Sequence, residues 1–314
     1  MNKKHKALRF FINLGIIVVI IFTVGFSGYF AIDKFVVPKY FGSYGISNMN
    51  DLVAIVKTLY TQPDEKTFIT NPYTRKNTMD AVSKLKNSGF PVLATDDTKL
   101  DYAKIASGKD LTIDKTKFPM EFTDKELAGI VDQMLSSGIL SSSLPDLAYL
   151  DTINMQCREV IISPLVENGV LNKNECSLSL VIKLDTDSVR TQMASYMDVP
   201  IFLLNMIVPE TIYISSLLNI SIDSNGDWKY TGGKISINNR TSTQSEILLN
   251  LLISFIFPPE DNMDSYKLLN TFGNIIESGL KYIGNIEFTN NIKVDENTIS
   301  NGVIITSVPK PIVP

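Results

Sequence analysis

The spacing of apolar and polar residues divides the chain into three regimes. From Phe10 to Ile32 the run FFINLGIIVVIIFTVGFSGYFAI holds 23 residues without a charge. As a helix at about 1.5 Å per residue it reaches roughly 34 Å, enough for a bilayer core of about 30 Å. The next regime is polar and helical in short pieces. Leu52, Ile55, Val56 and Leu59 share a helical face over 47–60, with Asn50 placed as N-cap, and 78–87 predicts a second helix ended by Gly89. Residues 111–113 read as a short strand. Over 118–135, FPMEFTDKELAGIVDQML, Thr123 and Glu126 form a capping box and Phe122 is placed to staple onto Leu127. Leu127, Ile130, Val131, Met134 and Leu135 then make an apolar stripe that needs a sheet to cover.

After residue 150 the period becomes two. In 152–162, Ile153, Met155, Cys157 and Ile161 point one way, with Glu159 and Val160 breaking the alternation. In 176–184, Cys176, Leu178, Leu180, Ile182 and Leu184 alternate with Ser177, Ser179, Val181 and Lys183. The two runs predict a hairpin with one dry face, joined by the loop ENGVLNKNE. Residues 212–223 and 228–237 predict a second hairpin, with Ile212, Ile214, Leu218, Ile220 and Ile222 on one side. Helices follow at 245–257, opened by a Thr243–Glu246 capping box and stopped by Pro258-Pro259, and at 264–283; strands at 285–294 and 298–308 close the pattern. The fold class is α+β: a transmembrane helix, then an exterior domain whose long curved antiparallel sheet packs on amphipathic helices. The domain order is a tail at 1–9, an anchor at 10–32, a mixed region at 33–117, the sheet-and-helix domain at 118–308 and a tail at 309–314.

Charge sharpens the location. Lys3, Lys4, Lys6 and Arg9 precede the apolar run, so the positive-inside rule leaves the N-terminus in the cytoplasm and residues 33–314 outside. A cleaved signal peptide is the alternative to a single-pass anchor, although such apolar regions are usually only about 7–15 residues long. Setting aside those four residues leaves 25 of the 29 basic residues against 33 acidic. An exterior this acidic argues against nucleic acid as a partner.

Composition limits the chemistry. The one histidine, His5, lies in the basic tail, which leaves none outside for a triad, a zinc site or a proton shuttle. No metal site and no cofactor is expected. The grouped acids Asp96-Asp97, Asp185 with Asp187, Asp223 with Asp227, and Glu260-Asp261 with Asp264 fall at turns and helix starts, where acids cap backbone. Cys157 and Cys176 lie on the same apolar face of the proposed hairpin, in a compartment that permits oxidation. They are candidates for a disulfide or for two buried thiols, and strand register decides between these. The dry face itself has two readings, a core or an apolar groove for an acyl chain, lined by Met155, Leu178, Leu180, Ile182, Leu218 and Ile220.

The order of anchor, FTDKELAGIVDQML (122–135), alternating hairpin, and IYISSLLNISIDSNGDWKYTGGKISINN (212–239) leading into an apolar helix resembles the YpmS-like family of membrane-anchored proteins of low-GC Gram-positive bacteria. Through it the chain is similar to the tubular lipid-binding (TULIP-like) fold, in which a long curved sheet wraps a helix. The resemblance implies a non-enzymatic envelope protein that binds or shuttles lipid, and it carries no catalytic residues across. The expectations are therefore a membrane-anchored, extracytoplasmic lipid-binding protein, or a scaffold or accessory subunit that holds an envelope protein partner. An envelope hydrolase with paired carboxylates is the remaining alternative.

Overall fold

The computed structural model describes residues 32–38, 47–60, 64–107, 111–137, 154–188, 190–191, 209–224, 228–238 and 285–307, with isolated positions at 201, 246, 249, 266–267, 269–270 and 273. The anchor expected at 10–32 lies outside these apart from Ile32, as do both tails and most of the helices expected at 245–257 and 264–283. Among the described residues no helix is long and apolar enough to cross a membrane. The chain forms two compact units that meet at Lys57 and Thr58.

In the first unit, helix α1 (Met49–Tyr60) begins where the Met49 N–H donates to Asp33 Oδ1 at 2.5 Å. Asn48, not the expected Asn50, caps it, its Oδ1 accepting from the Asp51 N–H at 2.9 Å.

The second unit is α+β with antiparallel sheets. A single helical turn, α2 (Glu65–Phe68), precedes α3 (Arg75–Asn87), which starts at a Thr74–Asn77 capping box and buries Ala81, Val82 and Leu85. A small hairpin, β1 (Val92–Leu93) with β2 (Asp96–Leu100), and α4 (Tyr102–Ser107) lead on; 111–113 is not a strand. β3 (Met120–Thr123) occupies what reads in the sequence as a helix approach, and α5 (Asp124–Leu135) begins at the expected Thr123–Glu126 box. The strands that follow are β4 (Asn154–Glu167), β5 (Val170–Asp185), β6 (Thr211–Ile222), β7 (Trp228–Ile237), β8 (Ile286–Lys293) and β9 (Ile299–Ile305).

The strands make separate sheets where a single curved one was expected. A four-stranded meander runs β4-β5-β6-β7, a three-stranded sheet runs β3-β9-β8, and the β1-β2 hairpin stands apart. The register of the small sheet stacks Phe122, Val303 and Phe288 in one row and Met120, Ile305 and Ile286 in the next. These rows pack with the apolar side of the meander in one core, where Trp228 meets Phe288 edge to face at 5.1 Å. Ala81, Val82, Leu85 and Ala128 belong to the same core. The boundary expected at 117/118 is thus no boundary, because α3 and α5 bury against each other.

Local geometry corrects three further expectations. Asn168 (φ 51°) and Gly169 (φ 77°) close the β4–β5 hairpin in two residues, so most of the expected nine-residue loop is strand. Arg158 is the extra residue of a β-bulge: Cys157 lies opposite Ile182, but Glu159 lies opposite Val181. The bulge puts Val160 and Ile162 on the core side with Cys157 and turns Ile161 to the other face. Third, the expected stripe of α5 packs against the core through Leu127, Ile130, Val131 and Leu135 but is only half-buried. The helix lies between α3 and the sheet, and fully buries Asp124, Glu126, Ala128 and Gly129.

Gly129 marks the tightest helix contact: a Cβ there would sit 2.2 Å from Thr78 Oγ1 and 2.9 Å from Thr78 Cα. Replacing Gly129 by Ala should therefore lower stability by about 1–3 kcal/mol, the usual cost of overpacking, as read by denaturant unfolding. Adding Thr78→Ala should recover part of the loss, because only the nearest clashing atom is removed.

Candidate functional site

Four carboxylates occupy the buried ground around β4, and each is held by backbone or by a cation. Three come from α5, and two of these reach the outer edge of the strand, which has no strand neighbour on that side among the described residues. Asp132 Oδ1 accepts the Cys157 N–H at 2.8 Å and a hydrogen bond from the Tyr73 hydroxyl. Asp124 Oδ1 faces the Ile162 N–H at 3.4 Å. From the other side of that peptide, Asn301 Nδ2 of β9 donates to the Ile162 carbonyl at 2.7 Å. An unsealed edge would leave strand donors without partners, a costly state when buried.

Glu126 completes the capping box, its Oε2 accepting the Thr123 N–H at 2.8 Å, while its Oε1 lies 2.6 Å from Lys84 Nζ. Lys84 also donates to the Glu121 carbonyl at 2.8 Å and lies over the Phe122 ring. Glu159, turned to the outer face by the bulge and 3 % exposed, accepts from the Thr70 N–H at 2.7 Å, from Thr70 Oγ1 at 3.0 Å and from the Asn71 N–H. Beside it Arg158 Nη2 pairs with Glu65 at 2.6 Å, and Phe68 stacks on Tyr213 at 5.0 Å. The 64–71 segment is thereby fastened to the outer face of the meander.

The electrostatics follow burial. Burial pushes the Asp124 carboxyl up to about 7, aided by the negative charge of Glu159 and opposed by the Ile162 N–H. Burial likewise pushes up the Tyr73 and Tyr102 phenols; Tyr102 donates to the Ile130 carbonyl at 2.8 Å. Both thiols are raised, chiefly by burial and secondarily by Asp132 for Cys157 and by Asp124 for Cys176. A raised thiol is a poor nucleophile and a poor metal ligand.

The sequence candidates fall as follows. Cys157 and Cys176 are free and buried. Register places Cys157 opposite Ile182 and Cys176 opposite Pro164, so they are six residues apart along β5, about 20 Å at strand rise, and the disulfide is excluded. Met155, Leu180, Ile182, Leu218 and Ile220 are buried in the core and Leu178 packs against it. The surface expected to line a groove is covered by the protein's own side chains. Of the grouped acids, Asp96 takes a turn bond from the Thr98 N–H at 3.1 Å, Asp97 pairs with Lys86 at 2.7 Å, and Asp185 accepts the Asp187 N–H at 3.1 Å. Asp227 and residues 260–264 lie outside the described residues. Among the described residues no group of three His, Cys, Asp or Glu is placed to hold a metal ion.

An open polar cleft of about 310 Å³ lies where β4 begins, β5 ends and β6 begins, lined by Asn154, Gln156, Lys183, Asp185, Asp187, Glu210 and Thr211. Thr186 shapes it: its N–H donates to the Glu210 carbonyl at 3.2 Å and its hydroxyl to the Pro209 carbonyl, while Asp187 pairs with Arg190. Sequence reading flagged Asp185 and Asp187 but not Lys183, which shares the face of Asp185 on β5 two residues earlier, or Glu210, which meets them only because Asp185 pairs with Thr211. Asp124, Asp132 and Glu159 were also missed. Their one sequence signal is polarity at positions where the apolar pattern calls for a buried residue. The chain matches no family model, no curated protein and no solved structure.

Two outcomes test this arrangement. Under native conditions Cys157 and Cys176 should both resist alkylation, and both should react after unfolding without prior reduction, as counted by intact mass. Glu159→Ala should cost about 1–3 kcal/mol in all, since its donors on the exposed Thr70 and half-buried Asn71 can turn to water, and it should make the chain more sensitive to limited proteolysis near Lys66.

Proposed function

We propose that this chain is a membrane-anchored, extracytoplasmic scaffold module that holds a protein partner and performs no catalysis of its own. The observation that carries the reading is the fate of the sheet's apolar side. Met155, Leu180, Ile182, Leu218 and Ile220 are buried in a core closed by β3, β8, β9 and α5, so among the described residues this face offers no open apolar groove, and the open cleft at its end is polar. The cleft formed by Lys183, Asp185, Asp187 and Glu210 carries three acids against one lysine, with Asp187 further paired to Arg190, which leaves one acid in excess. Its excess of negative charge favours a basic segment of a partner, the more so as residues 10–314 carry 33 acids against 25 basic groups. A non-catalytic role agrees with the absence of histidine beyond His5 and with the engagement of Asp124, Glu126, Asp132 and Glu159 in backbone bonds.

The lipid-binding reading rests on the one-sided apolar character of β4, β5 and β6. It requires free apolar surface between sheet and helix, and the six residues it names are packed against protein. It is accordingly the second reading.

One purification separates the two. The full chain, extracted in mild detergent, is analysed by mass spectrometry for both protein and lipid, beside a variant carrying Asp185→Lys and Glu210→Lys. A protein that co-purifies with the native chain and is lost from the variant supports the scaffold. Stoichiometric lipid without protein transfers the assignment to lipid binding, and neither species in either sample refutes both.

A further inference from the structure

The sequence Asn-Gly occurs at 168–169, 225–226 and 301–302. In such a pair the backbone nitrogen of the glycine can reach the asparagine amide, because no Cβ shields it. The fold treats the first and the last pair in opposite ways, although both are followed by valine. Asn301 lies in β9, the central strand of its sheet, and its Nδ2 donates to the Ile162 carbonyl at 2.7 Å. Gly302 is buried, and a Cβ on it would sit 2.0 Å from the Phe122 carbonyl oxygen. Neither residue can turn toward the other without breaking the sheet.

Asn168 and Gly169 form the turn of the β4–β5 hairpin, both exposed and both at positive φ, as Asn-Gly favours in a two-residue turn. Among the described residues neither the Gly169 N–H nor the Asn168 side chain has a hydrogen-bond partner, and the space around Gly169 is open. The turn also closes the least supported part of the meander. β6 pairs with β5 only from Glu175 onward, and the β4–β5 ladder is interrupted between Pro164 and Val166. Beyond that irregularity two rungs remain, Val166 opposite Leu171 and Glu167 opposite Val170. Val166 and Val170 are exposed, Val170 to 69 %, so these rungs bury little apolar surface. The Lys173–Glu287 ion pair lies below them and is itself exposed, so it adds little. A two-stranded end of this kind is marginal and opens readily, which frees Asn168 from the left-handed region that the closed turn imposes.

We propose that Asn168 is a self-modification site, at which the hairpin turn converts without an enzyme to a mixture of aspartate and isoaspartate. The Gly169 nitrogen loses its proton and bonds to Asn168 Cγ. The Cγ–Nδ2 bond breaks, and the amide nitrogen leaves as ammonia, taking up that proton. A water molecule then opens the five-membered imide at either carbonyl, which gives aspartate or isoaspartate. In isoaspartate the main chain runs through the former side chain and is one atom longer. A two-residue turn cannot absorb that atom and keep its strands in register, so the rungs at Val166 and Glu167 are lost. Either product sets a new carboxylate beside Glu167. The hairpin tip therefore carries a built-in lifetime. This goes beyond the scaffold reading and does not depend on it.

Peptide mapping by mass spectrometry tests this, with fragmentation that tells aspartate from isoaspartate. The full chain is aged in mild detergent in warm, mildly alkaline buffer, and a second portion is aged in denaturant. In the folded chain the peptide covering Asn168 should gain about 1 Da, with isoaspartate present. It should convert at least about tenfold faster than the peptide covering Asn301, because an end turn opens far more often than a central strand. In denaturant the two should convert at similar rates. Hydrogen exchange at the tip should be faster in the aged chain than in the fresh one, whereas Asn168→Asp, which adds the charge and keeps the backbone, should behave as the fresh chain does. An Asn168 that survives in the folded chain for the time in which the denatured chain converts overturns the proposal. So do equal rates at Asn168 and Asn301 in the folded chain, or aspartate without isoaspartate.

Discussion

The outer edge of β4 has to be closed, and the arrangement of the whole second unit follows from how that is done. β4 ends the meander, so among the described residues its outward N–H and C=O groups have no strand to pair with. Asp132 and Asp124, two turns apart on α5, reach the N–H groups of Cys157 and Ile162, and Asn301 takes the Ile162 carbonyl. A helix that reaches a strand through aspartates must lie close beside it. That requirement places α5 against β4, and the small residues Ala128 and Gly129 then let α3 approach α5 from the other side. The three-stranded sheet is drawn to the same edge through Asn301. Closure has a cost, because it puts a carboxyl where water cannot reach it.

The bulge at Arg158 lets one strand serve both sides of the meander. Without it Glu159 would fall on the Cys157 side, in the core. With it Glu159 turns outward to accept from Thr70 and Asn71, Arg158 reaches Glu65, and Val160 and Ile162 keep the core filled. The same irregularity therefore anchors the 64–71 segment, which explains why a polar stretch early in the chain belongs to the unit built mainly from later strands.

These constraints bear on function. The acids around β4 are accounted for by backbone donors and by Lys84, and the two thiols are held apart by register. Two open features among the described residues are the polar cleft at the end of β4, β5 and β6 and the tip of the β4–β5 hairpin, where Val166 and Val170 are exposed. Both are products of strand register. Lys183 and Glu210 stand far apart in sequence and become neighbours because Asp185 lies opposite Thr211. Reading along the chain finds Asp185 and Asp187 and can say only that they sit at a turn.

Local order was legible wherever short-range physics decides it. The Thr123–Glu126 box, the alternation of 176–184, the strands at 211–222 and 228–237 and the final hairpin follow from side-chain spacing alone, because period and capping act within a few residues. The α+β class follows from their order, and the uncharged run at 10–32 and the lack of histidine after His5 are facts of the sequence itself. Tertiary structure decided what depends on distant partners. It shifted the register at Arg158, divided the strands into two main sheets, turned an apolar face into a core, and kept Cys157 from Cys176. An apolar residue states that it avoids water, but only the packed fold determines which neighbour excludes that water.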